Sequence, residues 1–466
     1  MSPKSLSVVG ASGDRGSLGR IILENILKRG FQGEVFPVNP KFRSILGIKC
    51  FRNIADVPGI PDLSIVLVPS KQVPELVKEH ASKGIKNVII LSAGFSETGE
   101  KGRELERKIL RTAKDFGMRI LGPNCLGIFD NVSHLDTFFI PDSLVRRPIP
   151  GTVAIVSQSG SFAGHAMDIA AFENLGLSRV ISYGNKLDIN EVDSLYFLAR
   201  DRHTKAIGLY IEGVENGRNF VRAARYCASF KPVVVLKTGK SEELETSVAS
   251  HTGSLSGSYS VYKAAFRKSG ILEVDSLELF VDSLKALTCL PRARGSKVLI
   301  IGHAGGVGLL LADHCVEAGL EVPRISGDLF KRVRSLTFPF ASINNPVDLT
   351  ASGSDEQASR VFEEAFIRED SFADIAIYLA LWGLPQSSDK IAAIVKRAIT
   401  RSGKPVVVAS VTGDMCLRKR SIFESKGIPV FLSIQRAAMI AKVLFEAEKI
   451  QMNVKKEKIR KSWSNN

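Results

Sequence analysis

The sequence predicts an α/β protein built on parallel, doubly wound sheets. Short runs of β-branched residues alternate with segments of helical spacing almost throughout the 466 residues. In the first pair, an apolar run at 6–9 is followed by apolar residues at helical spacing, namely Leu18, Ile21, Ile22 and Ile26. Strand–helix alternation of this kind is typical of parallel sheets. At roughly 100–200 residues per domain, the length predicts about three domains.

Strand candidates and two breaks divide the chain. The strand candidates are residues 6–9, 34–38, 64–68, 87–91, 152–157, 179–182, 206–211, 232–237, 297–301, 373–379 and 405–409. The breaks are 141–151, which is rich in proline and charge, and 291–296, which precedes another strand. They predict three α/β units at about 1–145, 150–290 and 296–450, followed by a basic tail at 451–466.

Composition favours an ordered protein that binds small anions. Apolar residues make up 44% of the chain and the net charge is +15. Basic residues are interleaved with acids, and aromatics at 7% are too sparse for a base-stacking surface, so we expect no nucleic-acid partner. No apolar run approaches the ~20 residues that span a bilayer, and the start leads into a strand rather than a signal peptide. We therefore expect a soluble cytoplasmic protein. The six cysteines form no C-x-x-C pair, which disfavours a structural zinc site.

A glycine-rich turn follows the first strand candidate. Gly10-Ala-Ser-Gly13-Asp-Arg-Gly16 leads into a helix, and such turns let a pyrophosphate approach the backbone at a helix N-terminus. The G-x-G-x-x-G spacing is absent, and the second strand ends in Lys41 and Arg43 instead of an acid that would bind a ribose diol. The turn therefore favours a ligand with an extra phosphate on its ribose, such as NADP or coenzyme A. A tight turn without a ligand is the alternative.

Two later turns repeat the arrangement of strand, glycine turn and helix. Ser157-Gln-Ser-Gly-Ser161 is predicted to bind phosphate with backbone amides and two hydroxyls, although Ser159 as a simple N-cap is an alternative. A nucleophile elbow is disfavoured because the glycine before the serine is missing. The third turn, Gly302-His-Ala-Gly305-Gly-Val-Gly308, precedes another helix. In the first unit, 91–94 and 121–127 are further strand ends that are expected to line one groove.

His251 lies in a run of small and hydroxyl-bearing residues, Ser247-Val-Ala-Ser-His251-Thr-Gly-Ser-Leu-Ser-Gly257. Its surroundings suit neither a core histidine nor a metal ligand, because they offer no apolar face and no metal-binding partner at short spacing. A nucleophile or acid–base role remains, and a loop of small residues gives room for a tetrahedral anion. Glu212, at the end of an apolar strand, is a candidate to fix the histidine tautomer. These residues suggest a phosphohistidine.

Eight short motifs resemble, in collinear order over roughly residues 1–450, the alpha subunit of ADP-forming acetyl-CoA synthetases, which are relatives of succinyl-CoA synthetase. They are Gly10-Ala-Ser-Gly13, Val38-Asn-Pro-Lys41, Gly122-Pro-Asn-Cys-Leu-Gly127, Ser157-Gln-Ser-Gly-Ser161, Tyr183-Gly-Asn-Lys-Leu-Asp188, Tyr210-Ile-Glu-Gly213, Ser250-His-Thr-Gly253 and Asn345-Pro-Val-Asp-Leu-Thr350.

The resemblance implies a Rossmann-like CoA-binding domain followed by two flavodoxin-like doubly wound domains. It implies conversion of acyl-CoA, ADP and phosphate into acid, ATP and CoA through an acyl phosphate and a phosphohistidine. It also implies a partner beta subunit with an ATP-grasp domain, which would hold most of the contacts to ADP or ATP and Mg²⁺, in an assembly expected to be α2β2. Because no ATP-grasp region is visible after residue 450, the chain is expected to be inactive alone.

Site residues carry over position by position from this resemblance. His251 matches the phosphorylated histidine and Glu212 the carboxylate that orients it. The positions that match contacts to CoA, with the last near the thiol end, are Ser12, Gly13, Arg15, Lys41, Ser92, Ala93 and Asn124. The positions that match two helix N-termini facing the phosphoryl group are Ser159, Gly160 and Ser161 for one and Gly305, Gly306 and Val307 for the other.

The sequence departs from the family pattern at several positions. Gly164 replaces the tyrosine near the acyl site of succinyl-CoA synthetases, which speaks against succinate, and His303 replaces a small polar residue. Ser254 and Ser256 stand where alanines are usual. Two alternatives remain open: a non-catalytic CoA-binding regulatory subunit, and an NADP-dependent oxidoreductase. The acyl substrate and the choice between ADP and GDP are not predicted.

Overall fold

The computed structural model describes residues 2–241, 258–381, 388–411 and 413–464, and the side chains as far as residue 453. The chain divides into two compact units, Met1–Val281 and Asp282–Asn466. Within the described ranges, every helix is too short or too polar to span a bilayer.

The first sheet has five parallel strands in the order β2-β1-β5-β6-β7. The strands are β1 (Ser5–Val9), β2 (Glu34–Val38), β5 (Leu63–Val66), β6 (Asn87–Ile90) and β7 (Arg119–Leu121). A small hairpin of β3 (Ser44–Ile45) and β4 (Ile48–Lys49) follows β2. The connecting helices are α1 (Leu18–Lys28), α2 (Val73–Lys83) and α3 (Glu100–Phe116), with 3₁₀ turns at Ser70–Gln72 and Ser96–Thr98.

The second sheet has seven strands in the order β14-β13-β12-β10-β11-β8-β9. Its parallel strands are β10 (Pro150–Ser157), β11 (Leu177–Ser182), β12 (Ala206–Ile211), β13 (Val233–Lys237) and β14 (Leu272–Val274). Its helices are α4 (Gly160–Phe172), α5 (Glu191–Arg200), α6 (Gly217–Ala228) and α7 (Tyr259–Ser269), and α8 (Leu277–Cys289) crosses the boundary between the units. Residues 153–157 of β10 are all buried, as expected for the middle of a parallel sheet.

Two antiparallel strands extend this sheet from a part of the chain that the sequence pattern assigns to the first domain. They are β8 (Gly127–Asp130) and β9 (Leu135–Asp136). β8 pairs with β11, so that Gly127 lies opposite Ser182. The proline-rich break at 141–151 therefore follows these strands along the chain. The predicted limits of the domains stay a prediction.

The second unit contains a third sheet in the order β16-β15-β17-β18-β19. Its parallel strands are β15 (Val298–Gly302), β16 (Val347–Asp348), β17 (Ile375–Ala380), β18 (Val406–Ser410) and β19 (Val430–Phe431). Its helices are α9 (Gly305–Glu317), α10 (Gly327–Leu336), α11 (Asp355–Phe362), α12 (Ile391–Ser402), α13 (Gly413–Glu424) and α14 (Ile434–Ser464), with a π-helical turn at Glu363–Ile367. The basic tail continues α14 as helix to Ser464.

Each glycine turn follows a central strand, from which later strands of the chain are added first on one side of the sheet and then on the other. β1 lies between β2 and β5, β10 between β11 and β12, and β15 between β16 and β17. Connections leave these strands towards opposite sides, which opens a crevice at their carboxyl ends. The fold thus places all three predicted turns at the positions where α/β sheets bind ligands.

Candidate functional site

A pocket of about 510 Å³ in the first unit brings together predicted residues from two sheets. Ser92, Ala93 and Asn124 line it from the strand ends of the first sheet. Ser159, Gly160, Ser161 and Glu212 line it from the second sheet. The predicted thiol end of CoA and the predicted phosphate-binding turn therefore share one pocket.

The glycine turn after β1 is shaped by close contact between backbones. Gly10 has a φ of +91°, and a Cβ there would lie 2.0 Å from the carbonyl oxygen of Leu67. A Cβ at Gly19, in the first turn of α1, would lie 2.2 Å from the carbonyl oxygen of Gly10. Both positions therefore require glycine, which holds the start of α1 against the end of β1.

The remaining predicted CoA-binding residues lie on this turn and beside it, outside the pocket lining. Ser12 accepts a hydrogen bond from the backbone N–H of Asp14 at 3.0 Å. Asn39 joins the turn to the end of β2, because its side chain donates to the carbonyl of Ala11 at 2.7 Å and accepts from the N–H of Lys41 at 2.9 Å. Lys41 and Arg15 are exposed, so both cations are available to phosphate groups.

The hydroxyl of Ser92 is already used within the protein. It donates to the carbonyl of Val68 at 2.5 Å and accepts from the N–H of Val68 at 3.1 Å. The carbonyl of Ser92 accepts from the N–H of Asn124 at 2.9 Å. Ser92 therefore ties together the ends of neighbouring strands, and its predicted contact to CoA stays a prediction.

Asn124 is held in position by Asn185, which the sequence analysis does not single out. Asn124 has a φ of +57° after a cis Gly122–Pro123 bond, and its side-chain amide donates to Oδ1 of Asn185 at 3.2 Å. Nδ2 of Asn185 donates to Glu97 at 2.6 Å and to Glu106 at 3.0 Å. Asn185 thus connects the predicted thiol end of the pocket to two carboxylates.

Glu97 is kept ionised by this network. Burial favours a higher pKa for Glu97, but the hydrogen bonds from Asn185 and from the N–H groups of Gly94 and Phe95 outweigh it, so that the pKa is lowered. Its Oε1 accepts from Gly94 at 2.6 Å and from Phe95 at 3.1 Å. The negative charge stabilises the turn after β6 that carries Ala93.

Ser159 is the N-cap of α4. Its hydroxyl accepts from the N–H of Phe162 at 3.3 Å and lies 3.0 Å from the hydroxyl of Ser161. The Ser159 side chain therefore caps the helix, and its predicted contact to phosphate stays a prediction. The N–H groups of the first helical turn have no partners within a helix, so Gly160 and Ser161 still present an N-terminus to the pocket.

Glu212 follows β12 and is buried apart from its face on the pocket. The residue is 6% exposed, and its N–H donates to Oε1 of Gln158 at 3.0 Å. Burial, and then the negative charge of Glu212, raise the pKa of the neighbouring Tyr210. The phenol of Tyr210 is therefore neutral at physiological pH and stacks on Phe162 at 4.0 Å between ring centroids.

In the second unit, Gly305, Gly306 and Val307 begin α9, as predicted for a helix start. The N-cap is Ala304, which provides no side-chain cap. His303, just before it, is 4% exposed, and its Nδ1 lies 3.1 Å from the carbonyl of Thr350. The approach of this N-terminus to a phosphoryl group stays a prediction. His251 and its loop lie outside the described residues.

Comparisons with known proteins identify the family. Residues 4–130 match the family model for a CoA binding domain, 150–287 that for a succinyl-CoA ligase like flavodoxin domain, and 298–432 that for a ligase-CoA domain. The chain is 36% identical over 454 residues to the acetate–CoA ligase (ADP-forming) I subunit alpha of Pyrococcus furiosus, covering 96% of this chain and 97% of that subunit. The chain belongs to the family of ADP-forming acetate–CoA ligase alpha subunits.

Two further proteins are similar to this chain over nearly its whole length. The acetate–CoA ligase (ADP-forming) I of Archaeoglobus fulgidus is 36% identical over 96% of this chain, which spans 63% of that longer protein. The dinucleotide forming acetyl-coenzyme A synthetase 1 of Candidatus Korarchaeum cryptofilum, solved in complex with phosphate and ADP, superposes with a TM-score of 0.88. It is 32% identical, and the match covers 98% of this chain and 97% of that chain. The predicted fold class, with its CoA-binding and flavodoxin-like domains, is confirmed.

Proposed function

We propose that the chain is the alpha subunit of an acyl-CoA synthetase that converts acyl-CoA, ADP and phosphate into acid, ATP and CoA. The observation that carries this proposal is the single pocket that joins Asn124, the Ser159–Ser161 turn and Glu212. A thioester reaching this pocket from the glycine turn would meet a phosphate-binding helix N-terminus and a carboxylate together. Phosphoryl transfer depends mainly on positioning and on charge stabilisation, which these groups supply.

The proposed reaction has three steps. A phosphate oxygen attacks the thioester carbonyl, the C–S bond breaks, and CoA leaves as its thiol after taking a proton. A ring nitrogen of His251 then attacks the phosphorus of the acyl phosphate, the P–O bond to the acyl group breaks, and the carboxylate leaves. Finally, an oxygen of the ADP β-phosphate attacks the phosphorus of the phosphohistidine, the N–P bond breaks, and the free histidine leaves as ATP forms.

The residues of the chain have distinct roles in this proposal. The backbone N–H groups of Gly160 and Ser161 stabilise the phosphate and the acyl phosphate. The Glu212 carboxylate accepts from the other ring N–H of His251, which fixes the tautomer and stabilises the cationic character of the product. Arg15 and Lys41 bind the phosphates of CoA. We propose that the N-terminus of α9, at Gly305, Gly306 and Val307, also binds the phosphoryl group.

The acyl group is proposed to be a small monocarboxylic acyl group such as acetyl. Apolar side chains of Leu126, Phe139 and Ile140 line the pocket near the phosphate-binding turn. Among the described residues that line it, none is a lysine or an arginine. A second carboxylate on the substrate, as in succinate, would therefore lose its hydration without gaining an ionic partner.

The nucleotide is proposed to bind on a partner beta subunit with an ATP-grasp domain, together with Mg²⁺, in an α2β2 assembly. Support comes from the Pyrococcus relative, which is named as a subunit alpha and has nearly the length of this chain. The longer Archaeoglobus relative has room for such a domain in the same polypeptide. We propose that the enzyme acts in the cytoplasm.

Labelling of the complex with ATP tests this function. The chain and its partner subunit are incubated with ATP radiolabelled at the γ-phosphate and with magnesium. We expect acid-labile, base-stable label on the wild-type chain and none on the His251→Ala variant, because phosphohistidine has this stability pattern. Equal labelling of both chains would reject the proposal. Titration with CoA and with NADP separates the oxidoreductase alternative, which requires tight NADP binding without CoA binding.

A further inference from the structure

The backbone just after β12 is held by side chains from three separate segments. Oε1 of Gln158 accepts from the N–H of Glu212 at 3.0 Å and from the N–H of Gly213 at 3.1 Å. Nζ of Lys237 donates to the carbonyl of Glu212 at 2.9 Å, and Nζ of Lys186 donates to the carbonyl of Gly213 at 2.8 Å. Each backbone polar group of these two residues therefore has a side-chain partner.

The next residue is held in the same way. The N–H of Val214 donates to the hydroxyl of Tyr262 at 3.0 Å. The same tyrosine ring lies below the Lys237 ammonium, with Nζ 4.7 Å from the ring centroid. Cation–π attraction thus holds Lys237 and Tyr262 together, and both bind the backbone that carries Glu212.

Burial of two lysines at one backbone turn is unusual. Lys186 is 6% exposed and Lys237 is 2% exposed, whereas lysine is almost never fully buried unless it is paired. An apolar side chain at the end of β13 would continue the run Val233-Val-Val-Leu without burying a charge. Two buried ammonium groups instead donate to the carbonyls of Glu212 and Gly213. This arrangement indicates that the orientation of this backbone turn is important for the site.

Gln158 couples this turn to the phosphate-binding turn. It immediately precedes Ser159, its own N–H donates to the carbonyl of Tyr210 at 3.3 Å, and it lines the same pocket as Glu212. One residue therefore binds the end of β12 through its backbone and through its side chain. The spacing between the N-terminus of α4 and the Glu212 carboxylate is fixed by this residue.

We infer that Lys186, Lys237 and Gln158 are positioning residues for the Glu212 carboxylate, and this inference rests on the proposed function. They touch the backbone of 212–213 and set where the Glu212 side chain points, and the two lysines lie outside the pocket lining. Loss of either lysine leaves one buried carbonyl without its donor and lets the turn shift.

The chain offers a matched control at the other end of the same strand. Lys231 precedes β13, and its Nζ donates to the carbonyls of Leu198 and Asp201, each at 2.5 Å. Lys237 ends β13 and likewise donates to the carbonyls of Glu212 and Thr238. Lys231→Met and Lys237→Met therefore each remove hydrogen bonds to two backbone carbonyls, but the Lys231 contacts do not include Glu212 or Gly213.

The experiment compares these variants in the complex with the partner subunit. We expect Lys237→Met and Lys186→Met to lower kcat about 100-fold, with KM for CoA within about twofold of wild type, because a shift near 1 Å is sufficient to disturb the reacting geometry. Lys237→Arg keeps the charge and the donors, so its kcat is expected to be at least tenfold higher than that of Lys237→Met. Lys231→Met is also expected to lower the unfolding midpoint, because it removes two hydrogen bonds to carbonyls, but with kcat within about threefold of wild type.

Labelling with radiolabelled ATP separates failure of this inference from failure of the proposed function. Label on the wild-type chain with equal kcat in Lys231→Met and Lys237→Met would overturn the positioning role and leave the function intact. Absence of label on the wild-type chain would overturn the function itself, and with it this inference. If Lys237→Met does not fold, Lys186→Met takes its place, and a kcat equal to that of Lys231→Met contradicts the inference.

Discussion

The glycine turn at residues 10–16 and the turn at residues 212–214, here called the Glu212 turn, both belong to the proposed site but are built in opposite ways. The glycine turn after β1 gets its shape from close backbone contacts, and its cations, Arg15 and Lys41, are exposed. The Glu212 turn gets its shape from buried side chains, including Lys186 and Lys237. Exposed cations bind phosphate groups without desolvation, whereas buried donors fix the direction of a single carboxylate.

This contrast predicts that the two turns control different properties of the enzyme. Changes at the glycine turn should alter the affinity for CoA, since they act on groups that bind the ligand far from the reacting bond. Changes at the Glu212 turn should alter kcat, since they act on the geometry of phosphoryl transfer. Three predictions test whether the two turns separate in this way, and a fourth concerns the stability of the sheet that carries the glycine turn.

Removal of the Glu212 charge should have the largest effect. Glu212→Gln keeps the shape of the side chain but loses the anion that stabilises an imidazolium-like histidine, so kcat is expected to fall roughly 10³-fold while the Kd for CoA is unchanged. Steady-state kinetics and calorimetric titration with CoA measure the two effects. Glu104→Gln, exposed on α3, which connects β6 and β7 of the first sheet, is the control and should retain wild-type kcat. More than a tenth of the activity in Glu212→Gln would contradict this role.

A methyl group at Gly10 should disrupt the other turn. The φ of +91° and the 2.0 Å approach to the Leu67 carbonyl predict a loss of about 3 kcal/mol in the free energy of unfolding, with loss of CoA binding. Gly16→Ala is the control, because Gly16 also has a positive φ, of +78°, but no atom within 4 Å of its added Cβ. It should lose only about 1 kcal/mol. Urea unfolding compares the two variants, and equal losses would show that backbone contact does not shape the turn.

Acid should weaken the first sheet. His80, on α2, is fully buried, with Nδ1 2.6 Å from the Leu76 carbonyl and Nε2 2.7 Å from the hydroxyl of Ser64, which in turn accepts from Ser7 at 2.8 Å. Nδ1 therefore donates and Nε2 accepts in the neutral ring. Burial lowers the pKa of His80 to about 4.

Because the folded-state pKa is lower than the unfolded one, this contribution to stability is complete above about pH 6.5 and is lost as the pH falls towards 4. At pH 5 the loss is roughly 2 kcal/mol. Hydrogen exchange should show this loss of stability at the amides of β1 and β5 at a higher pH than at the amides of β12 and β13. His80→Gln, which does not titrate, should remove this part of the pH dependence. An unchanged pH dependence in that variant would assign the effect to other groups.

Removal of one exposed cation should have the smallest effect. Lys41→Met is expected to raise KM for CoA about tenfold and to leave kcat unchanged, because an exposed phosphate contact contributes on the order of 1 kcal/mol. The difference from wild type should shrink at high salt. Lys86→Met, before β6 at the opposite end of the strands, is the control and should not change KM. A fall in kcat for Lys41→Met would contradict the prediction that changes beside the glycine turn alter only the affinity for CoA.

The fold was largely predictable from the sequence because strand–helix alternation reports the order of elements directly. The runs at 206–211 and 297–301 correspond closely to β12 and β15. The pairing of β8 with β11 was not predictable, since a four-residue antiparallel strand gives no periodic signal of its own. Pairing across the sheet depends on long-range contacts that local pattern does not contain.

The candidate site was predictable where residue types carry the chemistry. Glu212 and the Ser159–Ser161 turn were found because an acid at a strand end and a Ser-Gly-Ser before a helix are unusual. Asn185 and Gln158 were missed, because amides in polar turns are common and their partners lie far away in the chain. Lys237 is a comparable signal in the sequence, because a lysine at the end of a run of buried β-branched residues is as exceptional as Glu212 at the end of β12.

The most direct test follows a single turnover from the acyl-CoA side. The complete complex is mixed with acetyl-CoA and radiolabelled phosphate in the absence of ADP, quenched in base, and the label is mapped to peptides. We predict label on His251 within one turnover, and its quantitative transfer to ATP when ADP is added. Formation of labelled ATP without label passing through His251 would contradict the account.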